Sequence, residues 1–368
     1  MNARGKTAGF IVAFMLASAA CSVAVAAQRA ASDDAQAVDK MRAAIAANAE
    51  RALAKQGGSK ILFKVDAAAL REAVVTELRD DVYRTVREGR IPFSALAMRD
   101  GGVEVRIAEP KDRQRVLAKL VPSTKDSPSG AQTISVTDSG DGLIRLMPTE
   151  AAFAERLREL VRQSGEMIDQ RLRNAGIRDA SQQPDGADRI RVLLPGVRDP
   201  ERVSATLGKR GRVTFRLVDV SVIAALALKG PVPPTSEILY HFKTREPSVV
   251  LKEIAMEGDD IIDASPLIDS QTQQPIASFR LNARGARRFA TITQENITKP
   301  FAIVVDDQVL SESVISEPIT GGSAIISGNF TLEDANNVAM LVRSGALPGR
   351  LSVVDQQVVE PVATAGKQ

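Results

Sequence analysis

The sequence has no tryptophan, two tyrosines and one histidine in 368 residues. Aromatic residues make up only 4% of it, so platforms on which bases or sugar rings could stack are poorly supplied. No G-x-S-x-G elbow accompanies His241. As the only histidine, it can also contribute no more than one imidazole to a metal site. We therefore expect His241 to be structural or exposed, and we expect no metal and no cofactor.

Phosphate-binding loops and long charge runs are also lacking. There is no G-x-x-x-x-G-K-[ST] motif, and no G-x-G-x-x-G follows a predicted strand. The 48 basic and 45 acidic residues are interleaved, which gives a net charge of +3 and does not indicate a groove for nucleic acid. Three basic side chains on one predicted helix could bind phosphate or lipid head groups, although a solvated helix face is favoured: Arg284, Arg287 and Arg288.

Adjacent acidic residues are the remaining candidates for chemistry, since a pair of carboxyl groups can act as acid and base. Adjacent acids more often mark solvated turns, and two of the three pairs coincide with turn signals. The pairs are Asp80-Asp81, Asp259-Asp260 and Asp306-Asp307. We expect that the chain is not an enzyme.

The N-terminus has the pattern of a targeting segment. Arg4 and Lys6 precede an uncharged run over residues 8–27, which ends in the small residues 24–26 typical of a cleavage site. The run is also about long enough to span a bilayer uncleaved, and the four residues that end at Cys21 faintly resemble a lipoprotein box. Each alternative places the bulk of the chain outside the cytoplasm. Without the leader, the mature chain has no cysteine for a disulfide.

Alternating strand and helix patterns follow an alanine-rich spacer. Apolar residues recur every fourth position from Leu70 to Val86 and predict a long amphipathic helix. Asp100-Gly101 predicts a hairpin turn. The order β-α-β-β-α-β over residues 61–138 repeats over residues 143–219. We therefore predict an α+β fold whose base consists of two ferredoxin-like (βαββαβ) halves.

The stretch 281–330 combines a helix, a hairpin and a glycine-marked return. Asn282 is a predicted helix cap, and Pro300 ends the helix. Residues 301–305 are β-branched and compact, as in a buried strand, and Asp306-Asp307 predict a turn. We interpret this stretch as most of a small α+β head inserted into the base.

Thr331 and Asp334 then form a predicted capping box, which starts the return to the base. The predicted division of the whole chain is a signal peptide or membrane anchor over 1–27, a helical spacer over 28–58, a base over 59–247, an inserted head over 248–330, the return to the base over 331–361, and a tail over 362–368.

The candidate binding segment lies within the head. Gly321-Gly322, with Ile315 and Ile319 nearby, could form an exposed edge that an extended polypeptide joins by strand addition. The alternative, which we favour, is that these isoleucines fill a small core.

Several motifs in a fixed order resemble the periplasmic domain of SecD, an auxiliary subunit of the bacterial protein-export machinery. From about residue 60 to 359 they are DRIRVLLPGVRDPERVSATLG, VTFRLVD, EGDDIIDA, NARGARRFATITQENITKPFAIVVDD and LVRSGALPGRLSVVDQQVVEP. The resemblance implies a ferredoxin-like base with a small inserted head. The family's Gly-Leu-Asp-Leu-x-Gly-Gly start is reduced here to residues 53–58 without its aspartate, and its later Gly-Pro reads Glu360-Pro361.

The family's further membrane helices, which carry the acidic residue that couples proton flow to motion, have no counterpart in this sequence. We therefore interpret the chain as a truncated SecD-like form without a proton-driven motor, because an ion pathway needs ionisable groups inside the membrane. The resemblance implies a periplasmic location, or an inner-membrane anchor with the domain facing the periplasm.

The predicted function is assistance to protein translocation by binding emerging exported polypeptide, with the head opening and closing about Gly258 and Gly328. The predicted partners are the polypeptide and possible membrane subunits of the Sec translocase, with no nucleic acid and with membrane contact only through an uncleaved N-terminus. The alternative is an envelope adaptor that docks on translocase subunits or on itself.

Overall fold

The computed structural model describes residues 40–123 and 132–362. The predicted signal peptide, the first part of the predicted spacer and nearly all of the predicted tail lie outside these residues. Eight α-helices occur in the described ranges: α1 (40–56), α2 (Ala67–Glu88), α3 (Pro110–Ser123), α4 (Glu150–Asn174), α5 (Pro200–Leu207), α6 (Ala224–Ala227), α7 (Ala283–Glu295) and α8 (Leu332–Ser344). None of them combines the length and the hydropathy that a bilayer crossing needs.

Seventeen strands occur in the same ranges and form four sheets. They are β1 (Gly58–Val65), β2 (Ala95–Arg99), β3 (Gly102–Arg106), β4 (Ile134–Asp138), β5 (Leu143–Pro148), β6 (Ser181–Pro184), β7 (Arg189–Pro195), β8 (Val213–Leu217), β9 (Ser236–His241), β10 (Pro247–Leu251), β11 (Met256–Glu257), β12 (Ile261–Ile268), β13 (Pro275–Leu281), β14 (Pro300–Val305), β15 (Gln308–Val314), β16 (Ser323–Ile326) and β17 (Leu351–Val359).

The predicted α+β class is confirmed, but the predicted grouping of strands into two consecutive halves is wrong. Sheet 1 has the order β17-β1-β7-β6 and sheet 2 the order β2-β3-β5-β4, with antiparallel neighbours throughout. The first predicted half is therefore split, because β1 lies in sheet 1 and the next three strands lie in sheet 2. The second is split over three sheets, since β8 belongs to sheet 3, with the order β10-β9-β15-β14-β8-β11.

The physical reason is that neither edge of β1 is free for β2. Val65 and Gly58 of β1 pair with Leu351 and Val359 of β17 on one side, and β7 occupies the other. The four strands of sheet 1 give the spatial order of a single split βαβ unit, assembled from both ends of the chain. Element order alone does not show that a strand from the end of the chain takes the place of the next strand.

Each part of the fold has its own apolar core. Sheet 1 packs against α4, and sheet 2 packs against α2 and α3. The helix predicted as a spacer, α1, lies against sheet 1 and buries Ala49 and Leu53 beside Leu193 of β7. Side-chain caps start two of the helices, since Asp66 caps α2 and Thr149 caps α4.

A third core lies between sheet 3, sheet 4 (β12-β13-β16), α7 and α8. Its centre is a cluster of phenylalanines whose ring centroids lie 5.5 to 6.4 Å apart: Phe215, Phe279, Phe289 and Phe301. Phe215 belongs to β8, which the sequence analysis assigned to the base. The predicted boundary at 247/248 also falls inside β10, which is a paired neighbour of β9 in sheet 3.

The start of α7 is anchored on a buried carboxylate. Asp260 accepts hydrogen bonds from Arg284 Nη2 at 2.7 Å and from Asn282 Nδ2 at 2.9 Å, while Asn282 caps the helix through Gly285 N–H. Burial alone would raise the pKa of Asp260, but the hydrogen bonds from Arg284 and Asn282 lower it below its ordinary value. The ionised carboxylate is therefore part of the folded structure of the head.

The chain crosses twice between the part built on sheet 1 and the part built on sheets 3 and 4. Arg171 of α4 donates hydrogen bonds to both crossings. Its Nη1 donates to the carbonyl oxygens of Leu207, at 2.7 Å, and Lys209. Its remaining three hydrogen bonds go to Arg210 O at 3.1 Å, Gly345 O at 3.2 Å and Ser344 Oγ at 3.1 Å. Residues 207–210 belong to the outgoing crossing and residues 344–345 to the returning one.

The Arg171 side chain is fully buried. Burial lowers the pKa of Arg171 to about 10, and the Asp306 carboxylate opposes this shift. The guanidinium therefore stays protonated at neutral pH. Asp306 accepts the backbone N–H groups of Gly211 and Arg212 at 2.8 and 2.9 Å, which ties the β14–β15 hairpin to the same crossing.

Replacing Arg171 by methionine is expected to lower the free energy of unfolding by about 3 kcal/mol, because several buried carbonyl oxygens lose their donor. Urea unfolding followed by circular dichroism measures this. Arg173→Met, which changes an exposed arginine on the same helix, is the matched control and should cost about 0.5 kcal/mol or less. Equal losses in the two variants would contradict the role assigned to Arg171.

Replacing Asp260 by asparagine is expected to destabilise the fold by about 1–2 kcal/mol at pH 7 through weakened hydrogen bonds. The pKa of Asp260 is lower in the folded state than in the unfolded state. The ionised carboxylate therefore stabilises the fold above the unfolded-state pKa, and this contribution disappears as the pH falls through the folded-state pKa. The difference between wild type and variant should therefore shrink between pH 7 and pH 3 in urea unfolding. A difference that stays constant over this range would argue against the ionised carboxylate.

Candidate polypeptide-binding site

The predicted isoleucines lie at the core rather than on a free surface. Ile315 is buried in the core of sheets 3 and 4, and its N–H donates to Lys299 O at 3.1 Å. Ile319 is half-buried against the same core, and its N–H donates to Thr293 Oγ1 of α7 at 2.9 Å. Both isoleucines thus hold the connection between β15 and β16 against α7.

The predicted glycine pair sets the entry to β16. Gly322 has a φ of +66°, a backbone conformation that a residue with a Cβ rarely adopts. Its carbonyl accepts Leu281 N–H at 2.8 Å, and a Cβ there would lie 2.9 Å from Ala286 Cβ. Gly321 faces open space. The pair thereby lets the chain turn into β16 directly beside β13.

β16 is the edge strand of this region. It is the terminal strand of sheet 4, paired with β13 from Ser323 to Ile326, and among the described residues no strand pairs with its other side. An edge strand presents unpaired N–H and C=O groups that an added strand can use. Ile325 is half exposed, at 50%, whereas Ile326 is buried and fixes β16 to the core.

The predicted hinge glycines lie where the chain passes into and out of sheet 4. Gly258 follows β11 and packs so closely that a Cβ would lie 2.6 Å from Val213 Cβ. Gly328 follows β16, and a Cβ there would lie 2.4 Å from Leu310 O. Close approach therefore explains glycine at both positions without motion, and the hinge roles stay predictions.

The residues considered for chemistry lie apart from one another. His241 Nε2 lies 3.3 Å from Glu312 Oε2 in sheet 3. Asp306 and Asp307 form the β14–β15 turn with positive φ, as expected for a hairpin turn. Within residues 40–123 and 132–362, no group of three or more histidine, cysteine, aspartate or glutamate side chains comes together to hold a metal.

Sequence reasoning missed Arg171, the side chain that fixes the head to the base. A signal for it exists, because Arg171 follows Leu160, Ser164 and Ile168 at helical spacing on the buried face of α4. A charged residue within an apolar stripe is seldom buried without a specific set of partners. The acceptors, which are carbonyl oxygens of two distant segments, could not be located from this pattern.

Comparison with known proteins gives consistent matches. Residues 236–349 match the family model "SecDF, P1 head subdomain", and residues 161–220 match "Protein translocase subunit SecDF, P1 domain, N-terminal". The chain is 33% identical over 308 residues to "Protein translocase subunit SecD" of Acetobacter pasteurianus and 30% identical over 309 residues to the protein of that name from Rickettsia bellii. Each alignment covers 83% of this chain and 58% of the relative.

The chain thus spans little more than half the length of these relatives. A solved structure described as "SecDF in Super-membrane-facing form" is 28% identical, with a TM-score of 0.46, and the match covers 54% of this chain and 28% of that one. The two family models between them include the junction residue Arg171 and the edge strand β16. These sequence matches support a SecD periplasmic-domain protein.

Proposed function

We propose that this chain assists protein translocation by binding emerging polypeptide, in extended conformation, at the free edge of β16. The observation that carries the proposal is this edge, which lies within the residues matched by the head model. The relatives that share 30 to 33% identity are named as translocase subunits, which supports the same role here.

Strand addition suits a binding partner of variable sequence. The backbone N–H and C=O groups of β16 would form hydrogen bonds with the backbone of an added strand, and every residue except proline has both groups for this. Ile325 would add one apolar contact with modest selectivity. We infer weak, sequence-tolerant binding, because ordering an unfolded segment offsets much of the gain from contacts.

In this proposal the chain acts by binding and not by catalysis, without a cofactor. It works outside the cytoplasm, in the periplasm or anchored to the inner membrane, beside membrane subunits of the Sec translocase. The base would hold the head in place through the Arg171 contacts, which reach both crossings of the chain. A motor that drives movement would have to be provided by other membrane segments.

A photo-crosslinker in place of Ile325 is expected to label an unfolded exported polypeptide in the full chain. Tyr83, with a similar 42% exposure on α2, is the matched control position and should give little labelling. Ile325→Lys should weaken polypeptide binding about fivefold or more, since a charged side chain on an edge strand opposes strand addition. Equal labelling at positions 325 and 83 would contradict the proposed site.

A second candidate function, an adaptor that docks by its sheet edge, is favoured by β17. This nine-residue strand pairs only with β1 among the described residues, and its side chains are largely exposed, including Val354 at 52% and Val358 at 49%. A long exposed apolar edge is a site for pairing with another sheet.

The adaptor candidate predicts a mass that rises with concentration in light scattering, and a lower mass for Val354→Lys at the same concentration. Far-ultraviolet circular dichroism should be unchanged in the variant, because Val354 contributes little to the core. A monomeric mass at every concentration would exclude self-docking through β17.

A further inference from the structure

The connection between β8 and β9 presents aliphatic side chains to solvent. Four of them lie within nine residues and are more than half exposed: Val220 at 74%, Ile223 at 67%, Leu226 at 63% and Leu228 at 51%. Single exposed aliphatic residues are ordinary, but a contiguous group of them marks a surface that contacts something apolar. We call residues 220–229 the apolar loop.

The base of the apolar loop is closed by one carboxylate. Asp219 accepts hydrogen bonds from Ser221 N–H at 3.0 Å and from the hydroxyl of Ser236 at 2.6 Å, which joins the two ends of the connection. The N–H of Asp219 in turn donates to Val249 O of β10 at 2.8 Å. Hydrogen bonds from the Ser221 and Ser236 side chains lower the pKa of Asp219, so it is ionised at neutral pH. The exposed side chains therefore stand on a fixed support.

The inner side of the loop is packed. α6 contacts β10, and Ala227 of α6 is 4% exposed. The N–H groups of Leu226 and Ala227 donate to Ile223 O at 2.9 and 3.0 Å, which closes a helical turn. The small residue thus faces the protein while the large aliphatic residues face outward. This arrangement is the reverse of what burial alone would select.

The charge around the loop restricts what it contacts. No acidic residue occurs from 220 to 235, although the chain has 45 acidic residues in all, and Lys229 follows directly after the aliphatic group. A second lysine lies beside the connection, since Lys252 Nζ donates to Pro234 O at 2.9 Å. Such a surface complements an anionic one.

We propose that the apolar loop inserts its four aliphatic side chains into the interfacial region of a membrane that contains anionic lipid. The aliphatic residues project from a short connection, as at a bilayer interface, whereas a small-molecule ligand needs a concave site. Lys229 would then lie at the level of the lipid phosphates. The proposal goes beyond polypeptide binding at β16, because it concerns a different surface and a different partner.

The absence of tryptophan gives a direct test. Leu226→Trp in the full chain provides a single fluorophore on the loop, and Leu267→Trp, on β12 and 49% exposed, is the matched control. With vesicles of phosphatidylethanolamine and phosphatidylglycerol, Leu226→Trp is expected to shift to shorter emission wavelength and to be quenched by brominated lipid. The control should show neither effect. Both variants keep the same N-terminal segment, so any anchoring by that segment is common to them.

A second substitution tests the charge. Lys229→Gln in the Leu226→Trp background should raise the lipid concentration for half-maximal shift about fivefold, the effect of one basic residue near an anionic surface. No shift with vesicles, or an equal shift at positions 226 and 267, would overturn the proposal. A shift caused by unfolded polypeptide and not by vesicles would overturn it as well, in favour of a protein partner. Crosslinking at position 325 is independent of all these outcomes.

Discussion

The buried guanidinium of Arg171 is the interaction on which the arrangement of the molecule depends. A charge taken out of water is costly unless hydrogen bonds replace its solvation. Here carbonyl oxygens and one hydroxyl from two distant crossings accept these hydrogen bonds. Among the contacts of the described residues, no carboxylate accepts a hydrogen bond from this side chain. This arrangement of α4 and the two crossings satisfies all five N–H donors of the guanidinium together.

This constraint has a consequence for the head. The crossings at 207–210 and 344–345 lead directly into β8 and out of α8, and both of these elements belong to the core of sheets 3 and 4. Fixing the crossings therefore fixes β8 and α8 within the head. The edge strand β16 lies at the end of sheet 4, whereas β8 belongs to sheet 3. The edge of β16 thus lies apart from the junction, as the proposed binding of polypeptide at this edge requires.

Local patterns in the sequence predicted the local structure well and the pairing of strands poorly. The caps at Asn282 and Thr331, and the turn at Asp306-Asp307, depend on neighbouring residues and were predicted correctly. The sheet order was predicted wrongly, because β1 pairs with β17 and not with the strand that follows it in the chain. No local sequence pattern indicates this pairing. At the candidate site, burial of Ile315 depends on the phenylalanine cluster, which is assembled from four separate elements. Arg171 shows the same limit, since its helix is evident in the sequence and its acceptors are not.

Hydrogen exchange at the backbone amides of β16 tests the central claim most directly. If an extended polypeptide adds to this edge, amides in residues 323–326 exchange more slowly in the presence of unfolded exported polypeptide, because outward N–H groups gain acceptors. Exchange in β5, in the centre of sheet 2, should be unchanged. Protection elsewhere in the chain without any change in residues 323–326 would contradict the account.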